Sequence, residues 1–107
     1  MSISDRYRQL VAEVQSLAKF MRQDENSDAT ERIFRIIDQG MKTLLEHDEM
    51  VGEIPRMRIE RDLSPVLLSA YNLFDRARLL LDEDGCEQEA AKLWEVQQKL
   101  YRLLNDL

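Results

Sequence analysis

His47 is the only histidine and Cys86 the only cysteine in 107 residues, so each has to be weighed as a reactive group. A histidine that accepts a phosphoryl group needs a small residue and a lysine soon after it, for room and for charge. His47 stands instead in Glu46-His47-Asp48-Glu49, and the two following acids would repel a phosphoryl group. Its simpler role is that of a cationic side chain near a helix C-terminus, where the macrodipole is negative. Cys86 falls where a helix should begin, a position that can stabilise a thiolate. Asp82, Glu83, Asp84, Glu87 and Glu89 surround it and oppose that charge, so Cys86 is expected to be buried and inert. The carboxylates show no metal-binding pattern. One histidine cannot supply the paired Glu-x-x-His motifs of a di-iron bundle. Glu46, Asp48, Glu49 and Glu53 lack the alternation and turn glycine of a calcium loop. No nucleophile elbow, Walker sequence or dinucleotide fingerprint occurs. The expectation is a non-catalytic protein with no metal and no cofactor.

Composition narrows the class further. Charged residues reach 34%, yet there are only three glycines and two prolines. So few backbone breakers in so charged a chain favour long helices with solvated faces over a β-sandwich, which needs frequent turns. The length suits one domain over residues 1–107. A net charge of −6 argues against general nucleic-acid binding, because nothing global would offset phosphate. No apolar run approaches a membrane span. The N-terminus lacks the apolar core of a secretory signal. With a single cysteine, the expected setting is a reducing cytoplasm, in a small bacterial regulator.

Four helices follow from periodicity. Ile3, Tyr7, Leu10, Val14, Leu17 and Met21 alternate in steps of four and three, with Val11 and Ala18 widening the stripe, and predict a helix over 3–23 capped by Ser2 or Ser4. The second helix, capped by Ser27 or Asp28, should bury Ile33, Phe34, Ile37, Met41, Leu44 and Leu45, and end at Val51 before Gly52. Gly40 lies on its apolar face. A glycine there costs about 1 kcal/mol against alanine, which points either to compensation by a closely approaching helix or to a tolerated defect. Residues 53–62 read as a connector. Leu63-Ser64-Pro65 then reads as the start of helix three, with Ser64 as N-cap and Pro65 at N1. Its stripe is Leu67, Ala70, Phe74, Ala77 and Leu81, broadened by Val66, Tyr71, Leu73 and Leu80. Asp84 and Glu87 have capping-box spacing for helix four. That helix should bury Cys86, Ala90, Leu93, Gln97, Leu100, Leu104 and Leu107, with Trp94 and Tyr101 flanking. The fold expected is all-α: an antiparallel four-helix bundle of two hairpins, with a longer connection between helices two and three.

The expected function follows from surplus apolar surface and uneven charge. Leu68 and Leu79 project to the polar side of helix three, eleven residues apart, and Phe20 lies off the stripe of helix one. With Tyr71 they are candidate partner-binding residues. Arg56, Arg58 and Arg61 form a basic cluster that would grip phosphate or a partner's carboxylates, or simply bridge to helix two. Residues 24–53 carry nine acidic and three basic side chains, a balance of −6 that reads as an acidic helix-two surface. The expectation is a protein–protein interaction module, an adaptor, chaperone or regulator, that uses apolar helix faces and pairs as a homodimer. The alternative is an acidic inhibitor that imitates nucleic acid on a basic enzyme. Salt separates the two, since a mimic loses affinity steeply with ionic strength and a hydrophobic adaptor does not.

Overall fold

A computed structural model describes residues 2–23, 31–47 and 58–107. They form four helices: α1 (Ile3–Gln23), α2 (Glu31–Leu45), α3 (Ile59–Glu83) and α4 (Glu87–Asp106). Neighbours in sequence are neighbours in space, and α4 closes the ring against α1, with no close backbone approach across either diagonal. Cross-helix pairs fix the directions. Arg6 meets Asp106, Glu13 meets Lys99, and Phe20 meets Lys92, so α1 and α4 run antiparallel. The Tyr7 hydroxyl donates to the Leu44 carbonyl, and Arg22 pairs with Asp38, so α1 and α2 also run antiparallel. The two expected hairpins therefore pack together within one chain as an antiparallel bundle of 44 × 22 × 21 Å.

The apolar stripes face one core. Tyr7, Leu10, Val14, Leu17 and Met21 of α1 meet Ile33, Ile37 and Leu44 of α2 and Leu67, Phe74 and Leu81 of α3, all buried. Ser2 caps α1 as expected, its hydroxyl accepting the Asp5 N–H at 3.1 Å. Gly40 is buried on α2 directly under the Phe74 ring of α3, so the close approach that compensates for this glycine is real.

Three boundaries differ from the sequence reading. The described part of α2 ends at Leu45, followed by a turn at Glu46 and His47, so the helix stops short of Val51. Ser27, Asp28, Val51 and Gly52 lie outside the described residues. Helix three begins at Ile59, which leaves Pro65 inside it and Ser64 no longer its N-cap. The Arg58–Asp62 pair, four residues apart, and the fully buried Leu63 favour winding the chain ahead of Pro65. Pro65 is exposed, and it cannot donate the N–H that Arg61's carbonyl would otherwise accept. Helix four starts at Glu87 with Cys86 as N-cap, and no side chain caps it, so the Asp84–Glu87 box does not form.

The reason lies in how α3 ends. Gly85 adopts a positive φ of 79°. The Cys86 N–H then bonds to the Leu81 carbonyl at 2.8 Å, and the Gly85 N–H to the Asp82 carbonyl at 3.1 Å. This is a Schellman close, and it folds Cys86 back onto Leu81 as the apolar residue that follows such a turn. Cys86 is buried, as expected for a packing residue. Serine is a better N-cap than cysteine, which offsets the burial of a hydroxyl. Cys86→Ser is therefore expected to change the unfolding free energy by less than about 1 kcal/mol in urea titration.

Candidate functional site

The outer face shared by α3 and α4 concentrates the exposed large side chains. Leu68 and Leu79 of α3 are 50% exposed, and Trp94 and Tyr101 of α4 are 44% and 52% exposed. Trp94 and Tyr101, read from sequence as broadening the buried stripe, instead stand at its outer edge. Half-buried Tyr71 links the two helices, its ring centroid 6.5 Å from that of Tyr101. Leu68 and Leu79 share a line on α3 because eleven residues are close to three turns. This is more than a single exposed leucine, which would need no explanation.

A polar network occupies the middle of the face. Arg78 donates from Nε to Gln97 Oε1 at 3.0 Å and from Nη2 to Asp75 Oδ1 at 2.8 Å. Gln97 Nε2 donates to the same Asp75 oxygen at 3.0 Å, which closes a triangle across the two helices. The Arg78 guanidinium also lies over the Trp94 ring, 4.8 Å from its centroid, and 3.5 Å from Asp82. Gln97 is fully buried, and a buried amide is tolerated only when its hydrogen bonds are made. Its presence in a stripe of leucines is the one signal that pointed to this network from sequence. The identity of its partners was not visible, because α3 and α4 had no defined register.

Asp75 feels the network directly. Its carboxyl is held below the ordinary value, first by the hydrogen bond from Gln97 and then by that from Arg78, with the Arg78 charge adding to both; partial burial works in the opposite direction. A lowered folded-state pKa stabilises the fold above the ordinary carboxylate value of about 3.9, and that contribution is lost as pH falls through the folded value. Asp75→Asn should therefore lower the melting temperature most near neutral pH. The gap to the wild type should narrow as pH falls below the ordinary carboxylate value of about 3.9. Thermal melts across that range check this; a gap independent of pH would contradict it.

The other sequence candidates are divided among separate places. Phe20 is 47% exposed but lies between α1 and α4, with Lys92 Nζ 3.4 Å from its ring centroid, so it does not join the Leu68–Leu79 face. Arg56 lies outside the described residues. Arg58 pairs with Asp62 on its own helix at 3.7 Å and does not bridge to α2. Arg61 is exposed on the same side of α3 as Leu68, two turns ahead of it. His47 sits in the turn after α2, where its Nδ1 is buried with no hydrogen-bond partner among the described residues.

The acids expected on a helix-two surface fall mostly outside α2 itself. Within Glu31–Leu45 two acids, Glu31 and Asp38, stand against three bases, Arg32, Arg35 and Lys42, so α2 is not an acidic surface. Most of the acids counted over 24–53 belong to its flanks outside the described residues. Among the described residues, acids gather at the α3–α4 turn, where Asp82, Glu83, Asp84 and Glu87 are exposed. No group of three or more His, Cys, Asp or Glu among the described residues is arranged to hold a metal ion. None of the described helices is long and apolar enough to cross a membrane. Compared with known proteins, the chain matches no family model, no curated protein and no solved structure.

Proposed function

We propose that the chain is a non-catalytic protein–protein interaction module, a small cytoplasmic adaptor or regulator, that binds through the outer face of α3 and α4. The observation that carries this reading is the gathering of Leu68, Leu79, Trp94 and Tyr101 on one face, around a fixed polar centre. Aromatic and arginine side chains held in place at the middle of a patch are what dominate binding energy in protein interfaces. Arg78 is ordered by three partners before any binding, so little of its rotamer freedom remains to be lost on association. The alternative of an acidic nucleic-acid mimic drew its support from the acids of residues 24–53, most of which lie outside the described residues. Among the described residues, the apolar face of α3 and α4 is the better-supported surface.

The test is cross-linking by face. A photoreactive residue replacing Leu79 in the native cell should give a discrete protein adduct, whether with a foreign chain or with a second copy. The same probe replacing Gln15, exposed on α1 at the groove with α2, should give none. The purified adduct partner should bind the wild type and lose about tenfold or more in affinity with Trp94→Ala, as for an aromatic anchor. Equal labelling from both faces, or none from Leu79, would overturn the reading.

A further inference from the structure

We infer that the outer α3–α4 face pairs with the same face of a second copy of this chain about a two-fold axis, which deepens the proposed function and rests on its choice of face. The exposed anchors are arranged symmetrically along the bundle. The midpoint of Leu68 and Leu79 falls between Leu73 and Phe74 on α3, and the midpoint of Trp94 and Tyr101 falls between Gln97 and Gln98 on α4. Those two midpoints lie at one level, because Asp75 meets Gln97 there, with Tyr71 against Tyr101 on one side and Arg78 over Trp94 on the other. A two-fold axis through that level lays Leu68 on the partner subunit's Leu79 and Trp94 on the partner subunit's Tyr101, each contact occurring twice, as an isologous interface requires.

Charge supports the same axis. Exposed Arg61 stands in the first turn of α3, while Asp82, Glu83 and Asp84 end it with no base in the last turn. The C-terminal end therefore opposes the helix macrodipole, which favours bases there, while the first turn carries Glu60 and Asp62 beside Arg61. The stability of α3 alone does not account for that acidic finish. A second copy laid antiparallel does, because the same axis brings Arg61, seven residues before Leu68, level with a point seven residues beyond the partner subunit's Leu79. That point is the acidic α3–α4 turn, where Asp84 and Glu87 are exposed and Glu87 lines the shallow depression beside Trp94. Arg61 of each face thus meets the acidic end of the other.

Light scattering coupled to size exclusion tests this directly. At micromolar concentration the wild type should have twice the 12.6 kDa chain mass. Leu68→Ser with Leu79→Ser should give a folded particle of single mass, with helicity checked by circular dichroism. Should that variant fail to fold, charge reversal gives the answer. Arg61→Glu alone, and Asp84→Arg with Glu87→Arg alone, should each weaken pairing about tenfold, since each change puts like charges together at both ends of the interface. Mixing the two variants should restore pairing, because opposite charges then meet at both ends of the mixed dimer. A wild type of single mass, a dimer unaffected by the leucine substitutions in a folded protein, or variants that fail to rescue one another would overturn the inference. A face-specific adduct with a foreign protein, together with a wild type of single mass, would retain the proposed function and remove only the second copy.

Discussion

Gly40→Ala should destabilise the fold by about 1–3 kcal/mol, the opposite of the gain a mid-helix glycine normally offers alanine. On an open helix surface the added methyl would stabilise by about 1 kcal/mol through the unfolded chain and better backbone screening. Here a Cβ on Gly40 would lie 2.6 Å from Phe74 Cε1 and 2.9 Å from Cζ, distances real Cβ atoms do not adopt. The ring cannot swing away, because Phe74 is fully buried on α3 among the leucines of the core. Relief must come from separating α2 and α3, which loses packing along their whole contact. The sign should depend on the ring. In a Phe74→Leu background, itself weakened by lost volume, Gly40→Ala should become neutral or stabilising. Urea unfolding of the four members of this cycle measures the coupling. A Gly40→Ala variant as stable as the wild type would mean that the two helices approach less closely than the structure places them.

Gly40 also illustrates how much was legible in the sequence. A glycine in the middle of an apolar stripe signals close approach, and α2 does pass close to α3 there. Without register, however, no property of the sequence named Phe74 as the neighbour. Helix α1 was readable end to end because its stripe, its serine cap and its last-turn arginine agree. Helix α3 was misjudged at its start because Ser64-Pro65 is a strong local signal, and tertiary burial of Leu63 together with the Arg58–Asp62 pair outweighs it. The Asp84–Glu87 capping box lost to the Schellman close, since Gly85 already determines the path of the chain. Among the candidate binding residues, Leu68, Tyr71 and Leu79 came together because one helix wheel relates them. Trp94 and Tyr101 were missed because a wheel cannot tell the rim of a stripe from its middle until the facing helix is known. Arg58 takes a local partner, Asp62, on its own helix, and the position of Phe20 is decided by the packing of α1 against α4.

The polar triangle gives the second large effect, and its asymmetry is the telling part. Arg78→Ala should cost about 2–3 kcal/mol, because Gln97 Oε1 loses the Arg78 donor in a fully buried position, and an unsatisfied buried acceptor carries its full desolvation penalty. Loss of the guanidinium over Trp94 adds to this. Gln97→Met should cost less, about 1 kcal/mol or under, since methionine fills similar volume without a buried polar atom. Arg78 is 22% exposed and keeps Asp75 and Asp82 as partners, so it is not left stranded by that change. The double variant should therefore be more stable than Arg78→Ala alone, an outcome that simple addition of two losses forbids. Chemical denaturation of the three variants decides the matter. If the double variant is the least stable of the set, the cost of Arg78→Ala comes from lost packing over Trp94, and the triangle's hydrogen bonds contribute little. If it recovers, the network is a built element of the face: it holds Arg78 and Trp94 in one arrangement before any partner arrives, and removing Gln97 should then loosen Trp94 even where stability is kept. Trp94 fluorescence anisotropy in folded Gln97→Met reads that loosening, which is expected as faster depolarisation than in the wild type.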